Sequence, residues 1–115
     1  MRKEMGKLGE EAAQEFLKNK NIKILKTNYR TRFGEIDIIA RDHDILIFIE
    51  VKTRKSAKYG LPRESVTPRK QQTIQKVALL YIKTHNIKGS RFRFDVIEVY
   101  QEKEPWNIVH ITNAF

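Results

Sequence analysis

Between residues 35 and 40 charged and apolar side chains alternate, Glu35-Ile36-Asp37-Ile38. From Ile45 to Ile49 the chain then runs Ile-Leu-Ile-Phe-Ile without a polar break. The first stretch has the period of two of a strand with two different faces, and Ile36, Ile38 and Ala40 fall on one of them. The second is β-branched and aromatic, which predicts a strand covered on both sides at the centre of a sheet. Asp42, His43 and Asp44 separate the two and predict a hairpin turn.

Before this hairpin, residues 3–19 carry Leu8, Ala12, Ala13, Phe16 and Leu17 at helical spacing, with Asn19 to Asn21 ending the helix. Gly6 and Gly9 weaken its start but allow close approach to a sheet. Residues 22–30 read as a first strand, and Gly34 suits a tight turn just before Glu35. After the hairpin, residues 53–63 read as a loop by composition. Thr67-Pro68 is a helix start, a capping side chain followed by proline in the first turn. That helix should run to about His85 with Ile74, Val77, Ala78, Tyr81 and Ile82 facing inward. Residues 92–100 and 108–111 read as two further strands. A strand, a crossing helix and another strand imply one parallel pairing in an otherwise antiparallel sheet, hence an α+β fold with a mixed sheet.

Parity decides whether the charges of the hairpin meet. Opposed residues of an antiparallel pair point to one face, so Asp37 joins Glu50 and Lys52 only if odd positions pair with even ones. A two-residue turn at His43 and Asp44 sets Asp37 opposite Glu50. A turn at Asp42 and His43 sets Glu35 there instead. Glu50 and Lys52 share a face in either case, about 7 Å apart along the strand. Two carboxylates in an apolar setting repel, and the remedies are a shared proton, a paired cation or a bound metal. A hard divalent cation, Mg²⁺ or Mn²⁺, would accept Asp37, Glu50, a backbone carbonyl and waters, and keep positions open for a phosphate. Bound water would be acidified there while Lys52 positions it, which is the chemistry of phosphodiester hydrolysis.

Composition narrows the partner. At 115 residues the chain is long enough for one domain with a modest core. Its 23 lysines and arginines against 14 acidic residues give a net charge of +9, which favours polyanions, nucleic acid first among them. It has no cysteine, so disulfides and thiolate zinc sites are excluded. No stretch reads as a signal peptide or a membrane span, so a cytoplasmic protein with no membrane partner is expected.

Other side chains fall near the proposed site. Glu10 borders the buried stripe of the first helix and could face Asp37 and Glu50, or it could be an ordinary exposed helix glutamate like Glu11 and Glu15. Arg30 and Arg32 could grip phosphates or simply balance Glu35. Arg54 opens a basic stretch that continues through Lys55 and Lys58, and Lys70 lies in the first turn of the second helix, where anions are favoured. Asp95 could buttress a basic residue. The three histidines have no ligand-set spacing.

The ordered string GKLGEEAA, NYRTRFGEIDIIARD, LIFIEVKTR, SVTPRKQQ, RFDVIEV and a terminal NAF resembles the bacterial YraN family, grouped with the PD-(D/E)XK nucleases, over almost the whole chain. The resemblance implies a restriction-endonuclease-like αβββαβ core, a mixed sheet flanked by helices. It implies Asp37 and Glu50 as metal ligands, Val51 as the source of a carbonyl ligand, and Lys52 as the residue that positions or activates the water. Glu10 is similar to the helix glutamate of archaeal Holliday-junction resolvases, which act as dimers on branched DNA. The proline that precedes the aspartate in the superfamily name is absent, with Glu35 and Ile36 in its place.

Three functions are therefore open: an endonuclease acting on DNA, branched or single-stranded forms included; a nucleic-acid-binding module that keeps the fold without turnover; and a protein-interaction adaptor. The apolar end at Ala114 and Phe115 either packs internally or joins a homodimer.

Overall fold

The computed structural model describes residues 2–55 and 66–115, and in them the elements follow the order α1 (Arg2–Asn19), β1 (Lys23–Thr31), β2 (Gly34–Asp42), β3 (Ile45–Arg54), α2 (Pro68–Thr84), β4 (Arg91–Tyr100) and β5 (Asn107–Ile111). The five strands form one sheet in the spatial order β1-β2-β3-β4-β5. Only the β3–β4 pair is parallel; α2 makes the crossover between them. The αβββαβ order expected from the sequence is thus present, extended by β5. No helix is long and apolar enough to cross a membrane among the described residues.

The run at Ile45 to Ile49 becomes the middle strand because both of its faces are needed. Leu46 and Phe48 point into the core beneath α2, with Ile74, Val77, Ala78, Tyr81 and Phe94. Ile47 and Ile49 point into the core beneath α1, with Ala13, Leu17, Ile97 and Val99. Leu46, Ile47, Phe48 and Ile49 are fully buried. Burial of this kind stabilises by about 1.5–3 kcal/mol per large apolar side chain, so this strand anchors the domain.

Capping and close approach fix the helices. The Thr67 hydroxyl accepts the Lys70 N–H at 3.2 Å, and Pro68 opens α2. On α1 a Cβ at Gly9 would run into the Thr53 side chain, so only glycine lets the helix lie this close to β3. Gly6 has no such neighbour. Gly34 has a φ of 149° in the turn after β1, and an added Cβ would fall 2.6 Å from Thr73 on α2.

Three readings change. Leu8 does not join the buried stripe of α1: it is 40% exposed. Thr53 and Arg54 belong to β3 rather than to a loop, because parallel pairing with β4 continues through Thr53↔Val99 and Arg54↔Tyr100. The rest of that loop from Ser56 to Arg63 lies outside the described residues. Finally, Ile36 and Ile38 do not share a face. Ile36 packs with Ile39 under α2, whereas Ile38 packs with Ala40 under α1. The strand changes face at Asp37, for a reason found on its neighbour. The β1–β2 register, Thr27↔Ile38 and Tyr29↔Ile36, leaves Asn28 opposite Asp37, and Asn28 has a φ of 51°. One left-handed residue breaks the alternation, and asparagine is among the few side chains that tolerate it.

The C-terminus packs internally. Phe115 stacks on Phe94 with ring centroids 5.2 Å apart, and the Ala114 N–H donates to the Phe94 carbonyl at 2.7 Å.

Candidate functional site

The turn at His43 and Asp44 sets the register, with Asp42 paired to Ile45 and Ile38 to Ile49. One further step would pair Asp37 with Glu50, but the regular ladder stops there. Instead the Asp37 Oδ2 atom accepts the Val51 N–H at 2.8 Å, so a side chain takes the place of a backbone partner. Sequence parity brought Asp37 and Glu50 together correctly; the splayed strand ends and the bond to Val51 are not visible in it.

Glu50 is only 5% exposed. Two ammonium groups approach its Oε2 atom, Lys52 at 3.6 Å and Lys70 at 3.8 Å. Lys52 arrives from the same face of β3, and Lys70 from the first turn of α2, which the Thr67 cap holds in place. Lys70, read from sequence as a phosphate contact, is therefore also a partner of a buried carboxylate. Burial first, and the neighbouring Glu50 charge second, push the Asp37 carboxyl up to about 7, against the pull of the Val51 N–H. Near neutral pH the Asp37 carboxyl is therefore close to half-protonated.

Glu10 is drawn into the same field. Its carboxyl is raised by burial, then by Asp37 and Glu35, while an Asn28 side-chain hydrogen bond and Arg30 act the other way. Glu10 thus looks toward Asp37, as one of the two readings of its position expected. Sequence reasoning missed Asn28, whose left-handed backbone stands opposite Asp37. Its signal was an asparagine, a residue poorly suited to strands, in the middle of one.

The arginines have separate placements. Arg30 pairs with Glu35 at 2.9 Å, and both are largely exposed. The Arg32 guanidinium lies 4.9 Å from the centroid of the Phe33 ring. Arg54 donates from Nε to the fully buried Glu98 at 3.1 Å, which orients its half-buried guanidinium at the end of β3. Glu98, which sequence reasoning missed, has its other carboxylate oxygen without a hydrogen-bond partner among the described residues.

Asp95 lies away from this cluster in β4, on the α1 face. It accepts from Arg93 Nε at 3.0 Å, His110 Nε2 at 2.8 Å and the Asn113 N–H at 3.1 Å. It buttresses basic residues, as its strand position suggested, and ties the end of β5 to the sheet.

The carboxylate donors are compatible with a hard cation. Among the described residues no three His, Cys, Asp or Glu side chains stand where they could hold one ion together. The oxygen donors of Asp37 and Glu50 are of the kind that hard cations such as Mg²⁺ or Mn²⁺ take, with the remaining positions left to water or a phosphate.

Comparison with known proteins agrees along the length of the chain. Residues 9–99 match the model of the family described as "Uncharacterised protein family UPF0102". A UPF0102 protein of Syntrophus aciditrophicus is 49% identical over 96% of this chain and 87% of its own length. One of Alkaliphilus oremlandii is 47% identical over the whole of both chains, and one of Acetivibrio thermocellus 49% identical over 96% of this chain and 89% of its own. The chain belongs to the uncharacterised protein family UPF0102.

Proposed function

We propose that the protein is a metal-dependent endonuclease that hydrolyses DNA phosphodiester bonds at the Asp37–Glu50 site. One observation carries the reading. The Asp37 carboxylate leaves the strand ladder to take the Val51 N–H, beside a buried Glu50 that has Lys52 3.6 Å away. Holding two carboxylates together in this way destabilises the protein, a cost expected where a cation is bound in function.

Asp37 and Glu50, with the Val51 carbonyl, would hold Mg²⁺ or Mn²⁺. When bound, the ion supplies charge stabilisation to the phosphate and acidifies a water. Lys52 orients the attacking water through its ammonium group, and Lys70 turns from Glu50 toward a phosphate oxygen once the carboxylate has another partner. Glu10 assists by holding or accepting a proton near Asp37. Arg30, Arg32 and Arg54 flank the site and hold neighbouring phosphates, with Arg54 already oriented by Glu98. The net charge of +9 supports nucleic acid as the substrate class.

Titration of Mn²⁺ followed by electron paramagnetic resonance tests the site before any substrate is known. The wild type should remove free Mn²⁺ signal, Asp37→Asn and Glu50→Gln should not, and Lys52→Ala should still bind. Equal binding by Asp37→Asn and wild type would place the ion elsewhere and overturn the proposal.

A further inference from the structure

Phe33 is a large apolar side chain that belongs to neither core and is 42% exposed. A lone exposed phenylalanine is ordinary; its setting is not. The Thr31 hydroxyl accepts the Phe33 N–H at 3.1 Å and donates to the Gly34 carbonyl at 3.0 Å, so the turn that presents the ring is fixed. Two cations face the ring, the Arg32 guanidinium at 4.9 Å and the Lys76 ammonium at 5.2 Å from its centroid. Phe33 also lines a cleft of about 280 Å³ with Arg69, Gln72, Thr73 and Lys76, and no acidic side chain is among these lining residues.

We infer that Phe33 is a stacking platform for an unpaired nucleobase, held in a cationic cleft beside the site. The inference rests on the nuclease reading only for what it says of substrate: DNA with unpaired nucleotides near the cleavage position. An aromatic face stacks any base, while Arg69, Lys76 and Arg32 take the adjoining phosphates, and an arginine plane can sandwich the base from its other side. A paired base has both faces covered by its neighbours and cannot use the ring. Geometry links the cleft to the site through α2, since Lys70, which reaches Glu50, directly follows Arg69. From Phe33, in the turn before β2, to Asp37 is four residues, at most about 13 Å of extended chain. At about 3.4 Å per stacked nucleotide that is roughly four nucleotides.

The test is binding in EDTA, where metal-dependent cleavage is silent. Fluorescence anisotropy compares a labelled single strand with the same sequence as a duplex, and 2-aminopurine in the single strand reports stacking. The wild type should prefer the single strand and quench the 2-aminopurine. Phe33→Ala should lose roughly 5- to 150-fold in single-strand affinity and the quench, with duplex affinity unchanged and Phe33→Tyr restoring both. Because the ring is outside the core, the melting temperature should not move. Lys76→Ala should lower the salt slope of binding by about one. Unchanged single-strand affinity in Phe33→Ala, equal loss on both forms, or no binding to either form would overturn the inference. A Phe33-dependent preference without cleavage under Mn²⁺ would leave it standing and sink the nuclease reading. Cleavage with Phe33-independent binding would do the reverse.

Discussion

Replacing Asp37 by Asn should make the metal-free protein more stable, because it removes one of two carboxylates that the fold presses together. Burial and the Glu50 charge push the Asp37 carboxyl from an ordinary 3.8 to about 7. With the folded-state value above the unfolded one, the native protein holds the extra proton between about pH 4 and pH 7, so stability falls as pH rises through that window. At about 1.36 kcal/mol per pH unit the full interval is worth about 4 kcal/mol. The Asn amide keeps only a neutral hydrogen bond to the Val51 N–H, which returns about 1 kcal/mol of the gain. A net stabilisation of about 3 kcal/mol is expected at about pH 8, or roughly 10 °C in melting temperature for a chain of this size. At about pH 4 the two proteins should melt within about 1 kcal/mol of each other, since Asp37 is then protonated folded and half-protonated unfolded. Thermal unfolding followed by circular dichroism between these limits in EDTA measures it. Adding Mg²⁺ should then raise the wild type at the upper pH and leave the variant unmoved. An Asn variant that melts at or below the wild type at the upper pH, or a difference that does not change with pH, would refute the strained pair.

Asn28→Gly should keep the fold, whereas Asn28→Ala should cost about 1 kcal/mol by urea unfolding, because at a φ of 51° alanine has the Cβ penalty without the local hydrogen bonding by which asparagine offsets it. Asp95→Asn should cost about 3–5 kcal/mol at neutral pH by leaving Arg93 without its buried partner. Burial raises the Asp95 carboxyl, but His110 and Arg93 outweigh it and hold it below 3.8. Its contribution is therefore complete above about pH 4 and lost in stronger acid, so the variant and wild type should converge there. Gly9→Val should destabilise by about 1–3 kcal/mol in the same unfolding assay, since the new side chain collides with Thr53. Phe48→Ala should cost about 3–5 kcal/mol, the ring being fully buried in the central strand.

Local pattern carried most of the fold. The run from Ile45 to Ile49 could be read as a central strand because a strand apolar at every position needs cover on both faces, and Thr67-Pro68 stated its helix start chemically. Parity could reduce the hairpin to two registers, and one of these is observed, with the turn at His43 and Asp44. What stayed hidden depends on contacts between distant segments. Arg54 and Glu98 are 44 residues apart, and only the parallel β3–β4 register brings them together. Lys70 meets Glu50 because α2 lies across that face of the sheet, a matter of packing rather than motif. The change of face at Asp37 arises on another strand, at Asn28, so the alternation of β2 read alone put Ile36 and Ile38 on one side. Leu8 had helical spacing but stays 40% exposed, because spacing alone does not say which turn of a helix meets the sheet.

The most direct test is cleavage of labelled single-stranded, duplex, flap and four-way-junction DNAs in Mn²⁺ by the wild type and Lys52→Ala, after equal melting has shown both to be folded. The account predicts nicking of at least one of them by the wild type and a loss of about a hundredfold or more in the variant. No cleavage of any form by the wild type, or equal rates in the two proteins, would contradict it.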